Sequence, residues 1–234
     1  ALGTLEKVNV ESDLETLRFA QRQQVRLTSL MEEIANQQEQ ITRLLQLPGF
    51  GVVTAVTVWA AIGDIQRFAD PQHLAGYAGL GTRVHDSGMT SRSGRITKAG
   101  RRDLRVVLIE AAQVAANSHP HWKAELARLQ PRLGRNKAIV AIARKLLVAV
   151  WYILAQHKTD RFAQPETIAQ KYLKFAYQLG KENRPAGQSA AHFVRQRLDA
   201  LQLGQELTSI AWGSKKPIPL PPSTTKVSDV PNTK

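Results

Sequence analysis

LPGFGVVTAVTVWAAIG, Leu47 to Gly63, decides the fold. A polar helical stretch runs into a tight Pro-Gly-x-Gly turn, and an apolar helix leaves it, because Pro48 cannot extend a helix and the two glycines allow the chain to reverse. This is a helix-hairpin-helix pattern, in which backbone N–H groups at the hairpin and at the next helix N-terminus face a phosphate. Gly49 and Gly51 are therefore candidate phosphate contacts. An ordinary corner between helices carries similar punctuation, but the whole LPGFG-x3-A pattern favours phosphate contact.

Upstream, Asp13 to Leu47 has no Gly and no Pro until the hairpin, and Leu27, Leu30, Ile34, Ile41 and Leu44 recur at steps of three and four. The spacing predicts one long amphipathic helix, and Gln37 would complete a coiled-coil seam with a single polar layer. Downstream, Asp70-Pro71 reads as an N-cap and first-turn proline for a short helix over Gln72 to Ala78. Thr97 reads as the cap of a helix to about Asn117. Lys137 to His157 is apolar on most of its circumference, so it belongs in the core, with Arg144 and Lys145 reaching an edge as further phosphate-binding candidates. Two more helices are expected, Gln164 to Leu179 and Ser189 to Leu203, closed by Gly180 and Gly204. The expected fold is mainly α: a helical bundle with a helix-hairpin-helix element, preceded by a long coiled-coil helix, with a Gly-rich loop or short hairpin at the active site. Its divisions are an N-terminal segment (1–12), the coiled-coil helix (13–46), a central domain (47–160), C-terminal helices (161–213) and a Pro/Ser/Thr-rich disordered tail (214–234).

The 234 residues carry a formal net charge of +13, which points to a polyanionic partner, DNA or RNA before an anionic membrane. The most apolar run, Ala138 to Leu154, is interrupted by Arg144 and Lys145, so no membrane partner is expected. There is no cysteine, which removes disulfides, thiol catalysis and cysteine zinc sites. The chain opens on Ala1 without an export pattern, and it is expected to be part of a longer protein.

The chemistry concentrates in GLGTRVHDSGMTSRSGRITKAGRRDLR, Gly79 to Arg105. Its glycines let a bulky ligand approach the backbone, and Arg92, Arg95, Lys98, Arg101, Arg102 and Arg105 bring positive charge without a matching acidic run. Lys98 with Arg102, and Arg101 with Arg105, would stand one helical turn apart, an arrangement that an anionic ligand relieves. Ser87, before Gly88, is the candidate nucleophile, with Thr90, Ser91 and Ser93 as rivals and His85 as a nearby base. A serine before glycine is more often a turn residue. Asp64, Asp70, Asp86 and Asp103 fall where capping explains them, and HPHW (His119 to Trp122) reads as a helix-ending turn, so no metal site is assigned.

The ordered series LPGFG, IGDIQRF (Ile62 to Phe68), LAGYAGLG (Leu74 to Gly81), DSG (Asp86 to Gly88), GRITKAGRRDLR (Gly94 to Arg105) and KAIVAIARKLL (Lys137 to Leu147) resembles the C-terminal transposase domain of the IS-one-ten family of insertion-sequence recombinases, which includes the Piv-type DNA invertases. The resemblance covers about Ile41 to His157. It implies a serine, here Ser87, that attacks DNA and holds it through a phosphoserine bond, with basic residues after it on the scissile phosphate. It further implies donor and target DNA, a structured bridge RNA, a dimer or tetramer formed partly through the coiled coil, and a cytoplasmic, nucleoid-associated location in a bacterium or archaeon. Mg2+ would bind not here but in an N-terminal RuvC-like domain, of which this sequence shows no strand-rich segment before Leu14. Thr82 and Arg101 stand where the family pattern has proline and asparagine. Two other readings compete: a non-catalytic helix-hairpin-helix module for DNA or RNA, and a structural protein that oligomerises through its coiled coil.

Overall fold

The computed structural model describes the backbone of residues 3–87 and 90–225, and the side chains of those residues other than 82–95, 186 and 215. The described chain is mainly helical. In place of one helix from Asp13 to Leu47 there are two, α1 (Thr4–Gln37) and α2 (Glu39–Leu44), separated at Gln38, which is extended with φ −111° and ψ 105°. No glycine or proline marks this break, because tertiary contacts cause it. Trp59 Nε1 donates to Gln40 Oε1, and the Tyr172 hydroxyl donates to the Thr42 carbonyl, each at 2.9 Å. These contacts turn Ile41 and Leu44 into the core, where both are fully buried, whereas Leu27, Leu30 and Ile34 stay 57, 44 and 41% exposed on α1. The predicted seam is thus divided between the protein's own core and the surface.

α3 (Val52–Ile62) leaves the hairpin and packs on α1, α2 and the middle of α5 (Arg102–Ser118). α4 (Pro71–Tyr77) starts as expected: Asp70 Oδ1 accepts from the Gln72 and His73 N–H groups at 2.8 and 2.9 Å, and Pro71 occupies the first turn. Between α4 and α5, the expected short hairpin is formed by antiparallel β1 (Thr82–Ser87) and β2 (Thr90–Ile96).

α5 starts later than its predicted Thr97 cap. Gly100 has φ 152°, and a Cβ there would stand 2.3 Å from the Tyr77 carbonyl oxygen, so this crossing fixes residues 97–101 outside the helix. α6 (Pro120–Leu133) follows at once, with His119 ending one helix and starting the next. Its two prolines hide it from a reading of breakers, yet Pro120 fills the first turn, where its missing N–H costs nothing.

α7 (Arg135–Gln156) is the central element and contacts α2, α4, α5 and α6. Ile142, Ala143, Leu146, Leu147 and Val150 are fully buried, each large side chain contributing roughly 2 kcal/mol. α5 faces it with Ala111, Ala112, Ala115 and Ala116, small residues that allow close approach. By length and apolarity α7 also meets the standard of a membrane span, but most of its apolar residues pack against its neighbours. Trp151 Nε1 donates to the Phe68 carbonyl at 3.0 Å and ties it to the segment before α4.

α8 (Pro165–Leu179) and α9 (Ala190–Ala200) complete the bundle. Residues 214–225 of the segment expected as a disordered tail are instead held in place, and its remaining residues lie outside those described. β3 (Ser209–Trp212) pairs with β4 (Lys215–Pro219), and the buried Arg195 donates to the carbonyls of Gly204 and Pro221, each at 2.8 Å, and to that of Leu207. One guanidinium thereby satisfies three loop carbonyls, and Asp199 holds Ser223 and Thr224 beyond them.

Lys171 of α8 donates to the Leu45 and Leu47 carbonyls at 3.0 and 2.5 Å, where burial pushes its ammonium down to about 8. In the unfolded chain it titrates near 10.5, so between these values the unfolded state binds more protons. Stability should therefore rise with pH across this window, by about 1.5 kcal/mol from pH 8 to 9.5. Urea titrations at the two pH values should record the rise, and Lys171→Met should flatten it.

Candidate nucleic-acid interface

The β1–β2 hairpin is rooted by a backbone ladder between the turn after α4 and the approach to α5. Thr97 N–H donates to the Gly81 carbonyl at 2.9 Å, Lys98 N–H to Gly79 at 3.2 Å, and Arg101 N–H to Tyr77 at 2.9 Å. Only chain without side chains fits at the crossing: besides Gly100, a Cβ on Gly79 would meet Arg105 Nη1 at 2.6 Å. Gly79 and Gly100 thus serve close backbone packing first.

At this root the predicted cations divide by occupation. Arg101 lies before the helix and grips Asp103 with both arms of its guanidinium, Nε to Oδ1 at 2.9 Å and Nη2 to Oδ2 at 2.6 Å. That fork, together with the Leu104 N–H, holds the Asp103 carboxyl down at about 2. Arg105 Nη1 donates to the Ala78 carbonyl at 3.0 Å. Arg102 and Lys98 are both exposed, and neither takes part in an ion pair or side-chain hydrogen bond among the described residues. Lys98 has φ 54°, so it stands outside the helix that was to align it with Arg102. Gly100, Arg101, Arg102, Val106 and Val107 line an open groove beside them.

Tyr77, which sequence reasoning passed over, joins this site. Its hydroxyl donates to the Ala61 carbonyl at 3.2 Å and receives Arg101 Nη1 at 3.4 Å, while the Arg67 guanidinium lies 4.6 Å from its ring centroid. Arg67, then Arg101, lowers the pKa of the phenol. Its signal in the sequence was its place inside the glycine-rich LAGYAGLG.

Ser87 is the last residue of β1 and pairs with Thr90, and Arg92 pairs with His85. The side chains of Ser87, Arg92, Arg95, His85, Ser91 and Ser93 lie outside the described residues, as does Gly88 altogether. With a rise of about 3.3 Å per residue, the Ser87 backbone stands about 16 Å along the strand from Thr82 at the root. The cations of α5 and Ser87 therefore occupy opposite ends of the hairpin.

The glycines of the expected helix-hairpin-helix pattern lie elsewhere again. Gly49, with φ 78°, packs on the backbone of α5 at Ala111, about 13 Å along that helix from Arg102. Its lack of a side chain is required by packing. Gly51 is the N-cap of α3 and faces open space, but the cleft beside it is also lined by Glu32, a buried carboxylate without a partner among the described residues. Arg144 is half-buried, and Lys145 pairs with Glu125, whose carboxyl Arg128 and Lys145 together hold down at about 2.

Residues 41–127 match the model of the transposase IS116/IS110/IS902 family. The chain is 34% identical over 136 residues to a transposase for insertion sequence element IS1111A of Coxiella burnetii, covering 56% of this chain and 37% of that protein. It is 34% identical to a pilin gene-inverting protein of Moraxella bovis, over 49% of this chain and 37% of that one, and 33% identical to a probable family 20 transposase of Pseudomonas aeruginosa, over 52 and 37%. The matched part is little over a third of the length of each of these relatives.

Proposed function

We propose that this chain, whose residues 41–127 match the model of the transposase IS116/IS110/IS902 family, is the strand-exchanging part of a DNA recombinase with Ser87 as its nucleophile. The Ser87 oxygen attacks a phosphodiester phosphorus and loses its proton to a base; the new P–O bond replaces the bond to one deoxyribose oxygen, which leaves protonated. A hydroxyl of the incoming strand reverses the exchange and frees the serine. Bond types are conserved, so the exchange needs no external energy source. Magnesium and a guide RNA belong to the same proposal through the family resemblance. Among the described residues no group of three His, Asp or Glu converges as a metal site, so no step here passes through the metal.

The observation that carries the reading is a glycine-rooted hairpin with two uncommitted cations, Lys98 and Arg102, beside an open groove inside the matched segment. These two would hold DNA phosphates, while Arg101 and Arg105 keep the root in shape. The double variant Lys98→Ala, Arg102→Ala is expected to reduce the salt slope of duplex binding by about 2. Anisotropy titrations of a labelled duplex between about 50 and 200 mM salt measure this. An unchanged slope would remove these residues from the DNA contact.

A further inference from the structure

A second cleft, about 770 Å3 in volume, opens at the far end of α5, where the start of α6, the middle of α7 and the loop after α7 meet. Four of its lining side chains carry aromatic rings: His121, Trp122, Tyr152 and Phe162. The His121 ring stacks on Phe162 with centroids 3.4 Å apart and planes 13° from parallel, which fixes the Phe162 ring in place. Two cations stand on these rings. The Arg161 guanidinium lies 4.4 Å from the Phe162 centroid, and the Lys158 ammonium 5.2 Å from that of Tyr152. Neither forms an ion pair among the described residues, in contrast to Lys145, which Glu125 neutralises at the cleft edge.

Two buried polar atoms of lining residues also lack hydrogen-bond partners among the described residues. Trp122, only 4% exposed, has an indole Nε1–H donor with no acceptor, and Asp160 has a carboxylate oxygen, Oδ2, with no donor. Buried polar groups are nearly always satisfied, so two orphans in one cleft are unusual for a packing defect. Burial raises the pKa of the Asp160 carboxyl. A mere void would be lined by apolar groups, and a metal site would need converging ligands, of which there is no group of three among the described residues.

Flat rings, unpaired cations, one donor and one acceptor match a nucleobase with its attached phosphate. A base inside a duplex is stacked on both faces and cannot reach such a wall; an unpaired one can. We propose that this cleft binds an unpaired nucleotide of single-stranded nucleic acid, the base entering among Trp122, Tyr152 and Phe162 and the phosphate meeting Lys158 and Arg161. This does not depend on Ser87 or on the hairpin root, so either site can fail without the other.

The test uses the 234-residue chain and fluorescein-labelled pentanucleotides of DNA and of RNA, an abasic DNA pentamer and a short DNA duplex. Tyr152→Leu and the pair Lys158→Ala, Arg161→Ala alter exposed side chains and leave the core intact. Each is expected to weaken pentanucleotide binding about tenfold while duplex binding stays unchanged. The abasic pentamer should bind about as weakly to the unaltered chain. Tighter binding of the DNA or of the RNA pentamer tells which strand supplies the nucleotide, and either preference supports the site. Abasic binding equal to that of the intact pentamer, or variants that leave pentanucleotide affinity untouched, would overturn it.

Discussion

Gly49→Ala is expected to destabilise the protein by about 4 kcal/mol, as the sum of a left-handed backbone conformation and a backbone clash. With φ 78°, Gly49 would carry its new methyl 2.2 Å from the Ala111 carbonyl oxygen and 2.9 Å from the Ala111 Cα. Those atoms belong to α5, which also packs against α7. Neither helix can retreat without opening the layer of buried alanines between them. Gly51→Ala is the matched control: no atom lies within 4 Å of its Cβ position, and its φ of −101° suits any residue. Urea denaturation should show a large drop in midpoint for the first variant and almost none for the second. A drop under about 1 kcal/mol for Gly49→Ala would mean that the hairpin does not rest on α5 as described.

What could be read in the sequence was what local chemistry decides. The apolar circumference of α7, the Asp70-Pro71 start of α4, the Gly180 end of α8 and the Ser189 cap of α9 need only neighbours in the chain, whereas α9 ends at Ala200, short of the expected Leu203 and Gly204. The break at Gln38 was hidden because it is imposed by Trp59 and Tyr172, far away in sequence. The late start of α5 depends on Gly100 crossing Tyr77, and the order beyond residue 214 on Arg195 satisfying three distant carbonyls. The candidate site divides in the same way. Its cluster of cations was plain, but which of them are free was not, since Arg105 is taken by a carbonyl 27 residues earlier. The second cleft had no sequence signature at all, because its residues come from three elements and acquire meaning only through unsatisfied polar atoms.

Ser87→Ala is expected to abolish covalent capture of DNA and to lower recombination by on the order of 10^4-fold or more, while equilibrium DNA affinity changes less than about twofold. The separation of effects follows from the hairpin. Its root, with Lys98 and Arg102, and its far end, with Ser87, lie about 16 Å apart along the strand, which spans about five phosphates of one DNA strand at 3.4 Å each. Under the proposed function, cations at the root would anchor DNA several nucleotides from the point of attack, so their loss should weaken binding, whereas loss of the serine should remove the bond-forming atom alone. The measurement is denaturing electrophoresis of this chain joined to the RuvC-like domain that the proposed function implies, with labelled substrate DNA, magnesium and guide RNA, comparing Ser87→Ala with Thr90→Ala, its partner across the strands. An adduct that survives Ser87→Ala but disappears in Thr90→Ala would move the nucleophile to the second strand. Tight, salt-sensitive binding by every variant with no adduct from any of them would leave a shape-reading nucleic-acid module in place of a serine recombinase.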